Sequence, residues 1–163
     1  MKLRIGSGFD AHRLAPGRPL WLGGIEVPHE RGLLGHSDGD CLIHAICDAL
    51  LGAAAAGDMG SHFPSSDERW RGAASVEFAR DTARILRERG FEIENVDATV
   101  IAEAPVLAPH LPAMAAAVAA ALGLPQERVS VKAKSNDGLG ALGRAEGIAA
   151  LATALLRRSQ GND

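Results

Sequence analysis

At 163 residues, 47% hydrophobic and 23% charged, the chain has the composition of one folded globular domain, long enough for a single core and too short for two ordinary ones. Seventeen Lys plus Arg against twenty Asp plus Glu leave a formal charge of −3, so no bulk positive field draws nucleic acid or an anionic membrane surface. Every apolar stretch is broken by Asp, His, Glu or Pro well short of the roughly 20 residues a spanning helix needs. The first residues also lack the basic segment, apolar run and small-residue site of a secretory signal, so the expected location is the cytoplasm.

Met1 to Phe9 reads as a strand that ends in the polar cluster Asp10, His12 and Arg13. A second extended stretch, Leu20 to Val27, is broken by Gly23 and Gly24 and leads to the Gly-rich loop Gly32 to Gly39. Ser37 or Asp38 can cap a first helix, in which Leu42, Ile46, Ala49 and Leu50 recur at helical spacing through about Ala56. Cys41 and Cys47, six apart on that helix, read as buried thiols. Gly57 to Arg71 is a loop of about fifteen residues, long enough to suggest function.

A second helix starts at Ser75, turns Val76, Ala79, Ala83 and Leu86 inward, and stops at Gly90. The strand Ile93 to Ile101, the loop Ala104 to Pro112 and an Ala-rich helix Ala113 to Leu122 follow. Val129 to Lys132 reads as a short strand, Ser135 to Gly143 as a loop, Glu146 to Arg157 as a final helix, and Ser159 to Asp163 as a fraying end. This order predicts an α/β two-layer sandwich over residues 1–158, a mixed sheet with helices on one face. Its small-residue helices cover little apolar area, so the other sheet face is expected to be buried by further subunits.

Asp10 and His12, two apart on a strand, share a face and can grip one ion, although a plain strand-end polar pair has the same spacing. His44 offers a third ligand from the first helix. An Asp/His/His set suits zinc and leaves a fourth position open, as catalytic sites require. Asp40, His44 and Asp48 fall on one helical stripe, where either carboxylate can orient the imidazole or simply meet solvent. His36 and Ser37 lie in the Gly-rich approach to that helix, where backbone N–H groups welcome a substrate oxyanion. Asp58, Gly60, Phe63 and Asp67 supply polar contacts and a ring from the long loop. Lys134, Ser135, Asn136 and Asp137 place a cation, a hydroxyl, an amide and a carboxylate together after a strand, a set suited to phosphate and a divalent ion.

The segments GSGFDAHRL (Gly6 to Leu14), GHSDGDCLIHAICDALLGAAAAGDMGSHFP (Gly35 to Pro64), AEAPVLAPH (Ala102 to His110), VKAKSNDGLG and GRAEGIA together resemble the 2-C-methyl-D-erythritol 2,4-cyclodiphosphate synthase family over nearly the whole chain. The resemblance implies a homotrimeric phosphorus–oxygen lyase of the non-mevalonate isoprenoid pathway, with active sites between subunits. It cyclises 4-diphosphocytidyl-2-C-methyl-D-erythritol 2-phosphate and releases CMP. It implies zinc on Asp10, His12 and His44, Mg2+ or Mn2+ at Asp137, and transition-state contacts from His36 and Ser135. The methylerythritol portion is implied near Asp58 and Gly60, and the cytidine near Ala102, Ala104, Pro105, Leu107 and Lys134. Arg144 is implied in binding phosphate, of substrate or of an isoprenoid diphosphate on the trimer axis. This chain departs from the family pattern at Asp137, one methylene shorter than the family's carboxylate, and at Ser65, Val106 and Ala141, where the family often has a carboxylate, a lysine and an aromatic. The alternatives are a zinc-dependent phosphoesterase, which would yield a linear phosphate, and a non-catalytic trimer that binds nucleotide or isoprenoid diphosphate without turnover.

Overall fold

The polar residues Asp10 and His12 do not end the first strand. In the computed structural model, which describes residues 2–159, β1 (Leu3–Pro16) runs straight through them. Its even-numbered residues from Gly6 to Leu14 turn toward the helices, and Leu3, Ile5 and Phe9 point the other way. After it come β2 (Leu20–Leu22), β3 (Ile25–Val27) and β4 (Arg31–Leu33). The expected second stretch is thus a hairpin: Gly23 and Gly24, at φ +61° and +78°, form the tight turn that requires positive φ at both central residues.

Three helices cover one face of the sheet: α1 (Cys41–Ala53), α3 (Ser75–Glu88) and α4 (Leu111–Leu122). The long loop between the first two holds a short α2 (Met59–His62) and a 3-10 turn at Glu68–Trp70. Strands β5 (Phe91–Ile101) and β6 (Val129–Lys134), a short α5 (Gly140–Gly143) and β7 (Gly147–Arg158) complete the chain. The sheet order is β4-β1-β7-β5-β6, antiparallel except for the parallel pair β5/β6. This is the expected mixed sheet with helices.

The last element corrects the sequence reading, for Glu146 to Arg157 is the central strand and not a helix. β7 is apolar along both faces, so the alternation that marks a half-buried strand is absent, and its alanines and leucines mimic a helix. Pairing with β1 on one side and β5 on the other overrides that propensity. Ser159 is still engaged, donating its N–H to the Gly90 carbonyl at 2.9 Å, and the rest of the predicted fraying end, 160–163, lies outside the described residues.

The core is built around α1, buried on nearly every side. It lies on β1 at backbone contact: a Cβ on Gly8 would stand 2.0 Å from the Ala45 carbonyl oxygen, and one on Gly6 2.1 Å from that of Ala49. Only glycine permits this approach, and it brings the side chain of His44, the residue before Ala45, over Asp10.

Candidate active site and metal centre

Within α1 proper, His44 and Asp48 are the residues between Cys41 and Leu51 that escape full burial, and both face a cavity of about 320 Å³. Asp10, His12, His36, Ser37, Met59, Gly60, Ser65 and the rings of Phe63, Trp70 and Phe78 complete its lining. The three rings pack on one another with centroids 4.9 to 5.3 Å apart, forming an apolar wall beside the polar group.

Asp10 Oδ2 lies 2.8 Å from His12 Nε2 and 2.9 Å from His44 Nδ1, and the two ring nitrogens are 3.3 Å apart. One ligand atom from each residue thus falls within a 4.8 Å group, the one such metal-ligating group among the described residues. A tetrahedral ion with ligands at about 2.0–2.2 Å separates them by roughly 3.3–3.5 Å, so the donor set fits an ion with only a small outward movement of the carboxylate. Burial alone would raise the Asp10 carboxyl, but hydrogen bonds and charge from His12 and His44 outweigh it and hold the group well below the usual carboxylate range. The same bond raises His12 above its ordinary 6.5 against the opposing effect of burial.

A pH dependence follows. His12 has a folded-state pKa above its unfolded value, so in metal-free protein its ion pair stabilises fully below pH 6.5 and is lost as pH rises through the raised pKa. A ligating imidazole must be neutral, so that proton also competes with metal. Melting temperatures measured from pH 6 to 8 with chelator and with Zn2+ should diverge as pH rises. A constant or shrinking gap contradicts the assignment.

A model of the YgbB family matches residues 3–157. The chain belongs to the YgbB family. Among its relatives, the 2-C-methyl-D-erythritol 2,4-cyclodiphosphate synthase of Burkholderia thailandensis is 59% identical over 158 residues, 97% of this chain and 98% of the relative. The bifunctional IspDF from Campylobacter jejuni superposes with a TM-score of 0.93 at 39% identity over 96% of this chain, which spans 42% of that longer one. A 2C-methyl-D-erythritol-2,4-cyclodiphosphate synthase in its CDP-bound form gives a TM-score of 0.87 at 40% identity, covering 94% of this chain and all of that one.

In this YgbB-family chain the two carboxylates expected to orient His44 do other work. Asp40, fully buried, accepts the N–H groups of Gly23, Gly24 and Ile43 at 2.7 to 3.0 Å, so it caps α1 and pins the hairpin; burial pushes its carboxyl up despite those bonds. Asp48 accepts the Met59 N–H at 2.8 Å and faces the cavity, its carboxyl raised by burial. His44 Nε2 instead lies 2.9 Å from Ser75 Oγ and 3.3 Å from Ser37 Oγ. Neither Ser37 nor Asp38 caps α1, whose cap is Asp40, while Ser75 begins α3 as expected. Asp58 caps α2 through Ser61, and Asp67 is bound to Arg69, while Gly60 and Phe63 line the cavity.

The second predicted cluster is assembled elsewhere. Ala102 donates its N–H to the Lys134 carbonyl at 2.9 Å, and Glu103 accepts the N–H groups of Asn136 and Gly138, joining the segment holding Ala104, Pro105 and Leu107 to the loop with Ser135 and Asp137. Lys134 shares a cross-sheet row with Ile101, Ala149 and Ala11, three strands from β1. At about 4.8 Å per strand the two clusters stand roughly 14 Å apart in one chain. Arg144 is exposed and paired with Glu146 at 2.7 Å. Trp70, Phe78 and Ser75 were missed by sequence reasoning; Phe78 and Thr82 belong to the buried face of α3, and the inward spacing at Val76 hid them.

Proposed function

We propose that this chain closes the ring of 4-diphosphocytidyl-2-C-methyl-D-erythritol 2-phosphate to 2-C-methyl-D-erythritol 2,4-cyclodiphosphate, releasing CMP, as a phosphorus–oxygen lyase. The observation that carries this reading is the convergence of Asp10, His12 and His44 at a half-enclosed, aromatic-walled cavity, in a family whose near-full-length relatives bear that synthase's name. A zinc ion held by those three residues would polarise a phosphoryl oxygen and neutralise its charge, leaving one coordination position for substrate. Asp137 presents one exposed carboxylate, a sufficient protein contribution for Mg2+ or Mn2+ shared with substrate phosphates.

An oxygen of the 2-phosphate attacks the β-phosphorus, the bond from that phosphorus to the α–β bridging oxygen breaks, and CMP leaves with the bridging oxygen. The attacking group is already anionic, so the chain's residues mainly hold geometry and offset charge. His36 lines the cavity with a buried Nε2 that has no protein partner, which suits it to donate to a phosphoryl oxygen. The rings of Phe63, Trp70 and Phe78 exclude water, favouring ring closure over hydrolysis. Asp58 and Gly60 border the methylerythritol, and Ser135 and Lys134 with the Ala102–Leu107 segment receive the cytidine diphosphate end.

Because the two clusters are three strands apart in one chain, we place the site between subunits of a homotrimer. The sheet face away from the helices supports this: Ile5 is 72% exposed and Phe9 59%, with Leu3 and Leu151 beside them. Arg144, at the head of β7, would face an isoprenoid diphosphate on the axis. The free, buried thiols Cys41 and Cys47 suit the reducing cytoplasm. Mixed trimers test the arrangement. Co-assembled His44→Ala and Asp137→Ala protomers, each inactive alone, should recover activity in about a quarter of their sites by random assortment; a mixture as inactive as its parts contradicts sites between subunits.

Phosphorus NMR of the purified protein with substrate, Zn2+ and Mg2+ tests the reaction itself. Resonances of a cyclic diphosphate and of CMP are expected. A linear monophosphate would make the chain a phosphoesterase, and binding without turnover a nucleotide-binding protein.

A further inference from the structure

Ser75 is fully buried at the first turn of α3, 31 residues from His44, and its hydroxyl has two partners. On one side lies Asp38. The Ser75 hydroxyl donates to Asp38 Oδ1, the Ser75 N–H donates to Asp38 Oδ2 at 2.7 Å, and the Asp40 N–H donates to Oδ1 at 3.1 Å. On the other side lies His44 Nε2, 2.9 Å away. The segment is tied down further by N–H bonds from Asp38 to the Ala73 carbonyl and from Gly72 to the His36 carbonyl.

A serine hydroxyl has one hydrogen to give, and a carboxylate has none. With that hydrogen committed to Asp38, the Ser75 oxygen can only accept from the ring. To hold an ion, His44 must then carry its hydrogen on Nε2, so that the lone pair of Nδ1, in place of an N–H toward Asp10, is available beside Asp10 and His12. Ser37 Oγ, at 3.3 Å and itself accepting from the Gly39 N–H, is the weaker neighbour.

We propose that Asp38 and Ser75 are positioning residues that select the His44 tautomer able to ligate metal, Asp38 fixing the direction of the Ser75 hydroxyl and Ser75 fixing the ring. The inference rests on the reading of Asp10, His12 and His44 as a metal centre. It assigns the orienting role to a relay across two helices, in place of the carboxylates on the His44 stripe.

The probe is Zn2+ alone, titrated against a chromogenic chelator. Loss of such a partner costs on the order of 10–100-fold in metal affinity. Ser75→Ala and Asp38→Asn should each weaken Zn2+ binding by about that factor, and Ser75→Thr, which keeps the hydroxyl, should restore most of it. The double variant should be little worse than either single one, because both break the same relay. In 15N-histidine protein loaded with Zn2+, the His44 Nε2–H signal should be protected from exchange in the unchanged chain and lost in Ser75→Ala. Should Ser75→Ala not fold, the isosteric Asp38→Asn decides by the same two readouts. Unchanged Zn2+ affinity in a folded variant, or fully additive losses, overturns the relay. An unchanged chain that binds no Zn2+ overturns the metal centre beneath it instead.

Discussion

Replacing His44 with alanine should abolish stoichiometric Zn2+ and lower CMP release by well over the roughly 10²–10³-fold that loss of one oxyanion donor costs. Three ligand atoms converge in this chain, and removing Nδ1 leaves one carboxylate and one imidazole, too few to hold an ion that must also bind substrate. Alanine is the best helix former, and His44 sits where α1 opens to the cavity, so the fold should persist. Metal content, CMP release and melting temperature measured together separate the cases. Near-normal turnover without metal would remove His44 from the chemistry.

Gly8→Ala should be strongly damaging for a single-methyl change. The added Cβ would meet the Ala45 carbonyl oxygen at 2.0 Å and the Ala49 nitrogen at 2.7 Å, backbone atoms that cannot rotate away. α1 must lift off β1, at a cost of about 3 kcal/mol or more, equivalent to roughly 6–12 °C in melting temperature for a chain of this size. Because Ala45 adjoins His44, the shift also pulls Nδ1 from Asp10, and Zn2+ affinity should fall with stability. Gly52 gives the contrast within the same helix. A Cβ there comes no nearer than 4.0 Å to the Ser7 carbonyl, so Gly52→Ala should be neutral or stabilising by about 0.5–1 kcal/mol. Equal effects from the two substitutions would refute the account of how α1 seats on β1.

The metal group was legible because its spacing is local. Asp10 and His12 share a strand face at i, i+2, and His44 lies on the one helical stripe of α1 that carries charge, so periodicity alone exposed both halves. The relay behind His44 was not legible. Asp38 and Ser75 are 37 residues apart, one reads as a helix cap and the other as a helix start, and only the packing of the α3 start against the α1 approach makes them partners. β7 was misread for a related reason: apolar residues on both faces erase the period-2 signal, and helix-forming residues then dominate the pattern. The distance between the two predicted clusters within the chain follows from strand order, which hydrophobic patterning does not encode.

Crystals grown with Zn2+ and measured at the zinc absorption edge would show whether Asp10, His12 and His44 hold an ion. One anomalous peak per chain is expected, ligated at about 2 Å by an Asp10 carboxylate oxygen, His12 Nε2 and His44 Nδ1. A map with no peak there, or with zinc held by other side chains while those three point apart, would contradict that assignment.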